Sequence, residues 1–160
     1  MTAMTTDRAV VRITRTIAAP PHRVYRAWLD PEQLVRWAAP QSLRAARAEV
    51  DERIGGRYRV WQTGPDGEDV GGFESELLEL VPDERIVLRW GFVGPERVAD
   101  PAHDSLLTVT LREIPGGTEL TLVHERLEAI DAAMPGMAAS AHTGWSQALD
   151  ALAGALTERS

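Results

Sequence analysis

The feature that most constrains this chain is a change of period. From Pro40 to Glu125 the signals are those of strands, with apolar residues alternating with polar ones over short runs broken by turn residues. From about Pro135 to Leu156, Met137, Ala141, Trp145, Leu149, Leu152 and Leu156 recur every three or four residues. The first pattern is that of strands with one buried face, the second that of an amphipathic helix. The helix spans roughly 20 residues and so about 30 Å. A meander of strands leaves one sheet face apolar, and that face needs a cover. The C-terminal helix is the main cover available, so the expected class is α+β, a curved antiparallel sheet wrapped on one long helix.

The strands can be placed individually. Val11, Ile13 and Ile17 mark a first strand. Arg57 to Gln62 alternates after the Gly55-Gly56 turn, and Pro65-Asp66-Gly67 turns the chain into the next strand. Phe73 to Val81 and Ile86 to Trp90 flank the turn Val81-Pro82-Asp83-Glu84. Leu107, Val109 and Leu111 pair with Leu120, Leu122 and His124 across Pro115-Gly116-Gly117. Between strand one and the meander lie two short helices. Pro21 suits a first helical position, as does Pro31 after the capping residue Asp30. Val24 and Trp28 share one face, Leu34 and Trp37 another. Residues 1–9 are expected to be a flexible segment, and 10–157 one domain. No repeat or low-complexity tract divides the chain.

Two absences remove whole classes of chemistry. The 160 residues contain no cysteine and no lysine, all 17 basic residues being arginine. Thiolate catalysis, cysteine–metal sites, Schiff bases and a Walker A loop are thereby excluded. The formal net charge of −7 argues against a nucleic-acid partner and against docking on an anionic membrane. No run of about 20 apolar residues exists to span a bilayer. Residues Met1 to Val10 hold Thr6, Asp7 and Arg8 and no apolar stretch, so no leader is expected. A cytoplasmic location follows by default.

Several motifs together resemble one known family. They begin with Ile13-Thr14-Arg15-Thr16-Ile17-Ala18-Ala19-Pro20, Ala27-Trp28, Asp30-Pro31-Glu32-Gln33-Leu34 and Trp37. Gly55-Gly56-Arg57-Tyr58, Pro65-Asp66-Gly67 and Glu79-Leu80-Val81-Pro82-Asp83-Glu84-Arg85-Ile86-Val87 with Trp90 follow. Gly117-Thr118-Glu119-Leu120-Thr121-Leu122 with His124, and His142-Thr143-Gly144-Trp145, close the series. In order and spacing, from about Val11 to Leu156, they resemble the Hsp90-ATPase-activator-homologue family of the START-like (Bet v 1-like, polyketide-cyclase-like) superfamily. The resemblance implies a helix-grip fold with an internal cavity. It implies no single activity, since members include ligand binders, cyclases, self-resistance proteins and a co-chaperone domain. Ser75 stands where the family often has glycine, and residues 94–104 show no clear family pattern.

The expected ligand is a small hydrophobic molecule, aromatic ones included, between sheet and helix. The expected binding residues are Tyr58, Trp61, Trp90, Val109, Leu111, Leu122, His124, Met137, Ala141, His142, Trp145 and Leu149, with Phe92 a further aromatic candidate. His124, in phase with Leu120 and Leu122, is the candidate general base of an alternative cyclase- or hydrolase-type enzyme, with Glu125 beside it. The other reading of His124 is a satisfied core histidine. Asp100, His103 and Asp104 form a weak acidic–histidine cluster, but no spacing matches a metal loop, so neither metal nor cofactor is expected. Ser146 shares a helix side with His142, without the setting of a nucleophile. Arg57, Arg59, Arg85 and Arg89 read as a solvated outer sheet face. Co-chaperone-like protein interaction is a third function. Nothing in the sequence encodes a chaperone partner or decides on a homodimer.

Overall fold

The computed structural model describes residues 10–40, 42–98, 104–133 and 136–157. Segment 1–9, Asp100 and His103 lie outside the described residues.

β1 (Val11–Ile17) buries Val11, Ile13 and Ile17 and exposes Arg12, Thr14 and Thr16. Pro21 opens α1 (Pro21–Leu29), where its missing N–H leaves no bond unmade. Asp30 ends α1 and caps α2 (Pro31–Trp37). Its Oδ1 accepts the Glu32 N–H at 2.9 Å, and its Oδ2 accepts from the Gln33 amide at 3.2 Å. One residue serves both helices, so no linker separates them.

Six more strands follow: β2 (Arg44–Val50), β3 (Arg57–Thr63), β4 (Asp69–Val81), β5 (Arg85–Val93), β6 (Asp104–Ile114) and β7 (Gly117–Glu125). Each pairs antiparallel with its successor, and β7 returns to β1, giving the order β1-β7-β6-β5-β4-β3-β2. The result is a seven-stranded, curled half-barrel, the α+β helix-grip architecture expected. Two elements were not foreseen. β2 lacks a clean alternation of buried and exposed positions. The six-residue α3 (Glu128–Ala133) is too short for a periodic signal. The expected long helix is α4 (Met137–Thr157), of 21 residues. No helix among the described residues is long and apolar enough to cross a membrane.

Register stacks the inner side chains in rows. Val11, His124, Leu107, Leu88 and Leu77 stand side by side across five strands. Ile13, Leu122, Val109, Ile86 and Leu80 form the next row. The C-terminal half of α4 lays Leu149, Leu152 and Leu156 into this core. Arg15, on the edge strand, ties the helix down: its Nη2 donates to Ser146 Oγ at 2.6 Å and its Nε to Asp150 Oδ1 at 3.2 Å.

β4 is distorted at Gly71 and Gly72, whose φ angles are 97° and 141°. A Cβ at Gly71 would stand 2.0 Å from the Val93 carbonyl oxygen, and one at Gly72 2.1 Å from that of Val60. Only glycine fits where the strand passes this close to both neighbours. The β3–β4 register shifts beside it, between Gln62 and Thr63.

The short helices meet α4 through tryptophan. Trp28, 1% exposed, sits edge-on to Trp37 at 4.6 Å and stacks on Trp145 at 5.9 Å between centroids. Its backbone carbonyl accepts the Tyr58 phenol at 2.6 Å. Replacing Trp28 by Ala should therefore cost on the order of 3–5 kcal/mol in urea unfolding. A loss under about 1 kcal/mol would show that the indole is dispensable to the core.

Candidate ligand-binding cleft

The two halves of α4 present different side chains to the sheet. Towards its C-terminus they are leucines, which fill the space. Towards its N-terminus they are Ala141, Gly144 and Ala148, with Trp145 the one large residue among the described lining ones. Small residues there leave a gap above the end of the sheet where β3 finishes, β4 starts and β5 finishes. The gap is a cleft of about 590 Å³, within the usual range for small-molecule sites. Its walls include Phe73 on β4, Trp90 and Phe92 on β5, Trp145 on α4, and Trp37, Pro40 and Leu43 at and after the end of α2. The surface is overwhelmingly apolar. Gln62 and Ser140 supply its side-chain polar groups among the described residues, and none of the described lining residues is charged.

The aromatic rings pack on one another as well as on the cleft. Phe73 and Trp90 lie 4.2 Å apart, and Trp90 and Trp145 lie 5.2 Å apart, both tilted. Such offset contacts fix ring planes. Trp145 is held further by a hydrogen bond: its Nε1–H donates to His124 Nδ1 at 2.9 Å. An indole N–H can only donate, so Nδ1 is the bare nitrogen and the proton sits on Nε2. Nε2–H then donates to Ser105 Oγ at 2.6 Å, and the Ser105 hydroxyl donates to the Trp90 carbonyl at 3.3 Å. The chain Trp145–His124–Ser105–Trp90 has one polarity and joins α4 to β7, β6 and β5. Burial lowers the His124 pKa from its ordinary 6.5 to about 3.

These features can now be set beside known proteins. The model of the family described as Activator of Hsp90 ATPase homolog 1-like protein matches residues 18–157. The chain belongs to this family. A solved protein of Chromobacterium violaceum is 32% identical, with a TM-score of 0.73, 92% of this chain and 96% of that one being covered. A protein of Mycobacterium smegmatis is 28% identical, with a TM-score of 0.78 and coverage of 97% and 95%. The AHSA1 protein of Silicibacter pomeroyi shares the fold at 19% identity, with a TM-score of 0.76 and coverage of 95% and 100%. No curated relative matches the chain. The START-like fold of the family commonly binds hydrophobic ligands.

Against this family fold the candidate residues divide. Trp90, Trp145, Ala141 and Phe92 line the cleft. Tyr58, Val109, Leu111, Leu122 and Leu149 are buried but lie in the filled part of the core, under the leucine half of α4 and the short helices. His124 is 0% exposed and does not line the cleft. It stands behind the two tryptophans, with both ring nitrogens hydrogen-bonded. His142 is exposed on the flank of the helix stripe, about 60° from Trp145. Ser146 is engaged by Arg15 and not by His142. The side chain of Met137 lies outside the described residues.

Trp61 is on the opposite face of the sheet from the cleft, because β3 turns Tyr58, Val60 and Gln62 inward and the residues between them outward. There the guanidinium groups of Arg47, Arg59 and Arg97 stand over its ring at 4.6, 5.0 and 4.3 Å. Glu74 takes hydrogen bonds from Arg59 and Arg97. Burial alone would raise its carboxyl, but these two guanidinium groups outweigh it and hold the pKa below the usual value. Arg85 and Arg89 likewise lie beside Glu79 and Glu76 on this face.

Sequence reasoning missed Gln62, Phe73, Leu43 and Gly144 as cleft residues. The available signal was the run of small residues Ala141, Gly144 and Ala148 on the buried stripe of the helix, where leucine would have filled the space.

The His124 strut has a signature in acid. Below about pH 6.5 the unfolded chain binds a proton that the folded protein refuses until about pH 3. Stability is therefore lost as pH falls through that window, by up to about 1.4 kcal/mol per pH unit from this group. His124→Gln keeps an acceptor for Trp145 and a donor for Ser105 but does not titrate. Urea midpoints between pH 7.5 and 4.5 should fall less steeply in the variant. Equal slopes would mean that His124 takes up its proton in the folded protein.

Proposed function

We propose that the protein is a non-catalytic binder of a small hydrophobic molecule, held in the cleft between α4 and the β3–β5 end of the sheet. The observation that carries the reading is the cleft itself: about 590 Å³, apolar, and walled by tryptophan and phenylalanine. Exposed apolar surface on this scale is costly unless something covers it. Binding is favoured over catalysis because the one inward-facing histidine of the sheet is neutral, has both ring nitrogens engaged, and does not reach the cleft.

The uncharged dye Nile red tests this. It should bind at a single saturable site and quench tryptophan emission through Trp90 and Trp145. Gly144 gives the blocking variant. A Cβ there meets only Pro40 Cβ, at 3.7 Å, an ordinary contact. A longer side chain would extend into the gap between α4 and Pro40, while glycine is a poor helix former to begin with. Gly144→Leu should keep its melting temperature and lose roughly tenfold or more in dye affinity. If the native protein takes up no dye, or Gly144→Leu binds it as well as the parent, the cleft is not the binding site.

A further inference from the structure

Resting on that reading of the cleft, we infer that Gln62 selects the ligand: a flat, uncharged molecule whose ring hydroxyl or N–H donates to Gln62 Oε1. Gln62 occupies an inward position of β3, in phase with buried Tyr58 and Val60, and is itself 6% exposed. A carboxamide at an apolar wall is unfavourable unless its polar atoms are bonded. Half of that need is met by the protein. The Gln62 amide nitrogen donates to the Ala38 carbonyl at 3.0 Å, at the end of α2. A carbonyl only accepts, so the nitrogen must face Ala38 and the amide cannot be turned over.

Oε1 is left without a protein partner among the described residues. Unlike the Ser75 hydroxyl, it is not among the polar atoms sealed off without a partner. The register explains why it stays open. Gln62 pairs with Ala45 on one side and with Gly71 on the other. Alanine has nothing to offer, and Gly71, at φ 97° and 2.0 Å from the Val93 oxygen, cannot carry a side chain. Both flanks of Gln62 are bare, and Gln62 lines the cleft.

The ligand class follows from what must be matched. A ligand that displaces water from Oε1 must supply a donor in its place, or leave a buried acceptor unpaired. An ion would meet no opposite charge among the described lining residues. The aromatic walls favour a flat ring system. A fused-ring phenol has this chemistry.

The test compares 2-naphthol, 2-methylnaphthalene and 2-naphthoate by titration calorimetry on the full chain. The native protein should prefer 2-naphthol to 2-methylnaphthalene by roughly tenfold, although the latter is more hydrophobic, and should bind the carboxylate least. Gln62→Leu should abolish the preference by weakening 2-naphthol more than 2-methylnaphthalene. Gln62→Met, closer in shape to glutamine and equally without an acceptor, carries the same expectation should the leucine variant fail to fold. An unchanged preference in these variants, or a native protein that favours 2-methylnaphthalene or 2-naphthoate, overturns the role of Gln62 while Nile red binding keeps the cleft. Loss of all three compounds and of the dye in the native protein overturns both.

Discussion

The structure depends on how α4 is seated on the sheet, and the seat is Trp145. Its ring stacks on Trp28 from the short helices and packs against Trp90 from the sheet. Its N–H is tied to His124, whose other nitrogen reaches Ser105 and, through it, the Trp90 backbone. Dispersion contacts between rings are weak singly and tolerate sliding. The hydrogen-bonded chain does not slide, because every member has a set direction. A buried histidine that would be a liability unpaired thus fixes the height and angle of the helix.

The position of the cleft follows from that seat. Below Trp145 the helix carries leucines and the sheet carries Leu120, Leu122 and Val109, and the two surfaces interlock. Above it the helix carries alanine and glycine while the sheet nears its end beside the distorted Gly71-Gly72 segment. The same two surfaces cannot close there. The hollow comes from a mismatch of side-chain volume along one helix and needs no special motif. Gln62 stands in the hollow because the strand alternation that buries Tyr58 and Val60 brings it inward as well.

The outer face obeys a different rule. Trp61 and its three arginines, with Glu74, form a stacked and paired layer over the carbonyls of β3 and β4. Arg97, with φ 58°, donates to the Val60, Gly71 and Phe73 oxygens. The guanidinium group, with several donors in one plane, reaches all three. This layer braces the wall of the cleft from behind, at the strand segment where the β3–β4 register shifts.

Local information was enough for most of the fold and for part of the site. Period two and period 3.6, the paired Pro-after-cap signals at Pro21 and Asp30-Pro31, and the Gly-bearing turns each act within a few residues, so the order of elements could be read directly. The same alternation tells which residues share a face, and it placed Trp90 and Trp145 inward. It does not tell which inward residues meet a partner. Val109 and Leu122 vanish into the filled core; Trp90 packs on Phe73 and Trp145 and lines a hollow. His124 and Trp61 show the two further limits. The role of His124 depends on an indole 21 residues away in sequence and a hydroxyl on another strand. The side taken by Trp61 depends on the phase of its strand, which Tyr58 and Gln62 reveal only once the sheet is known to be covered on one face. Sequence determined what each segment is, because that is settled by neighbours along the chain. Tertiary structure alone decided where the volume is missing, because that depends on how two distant surfaces fit.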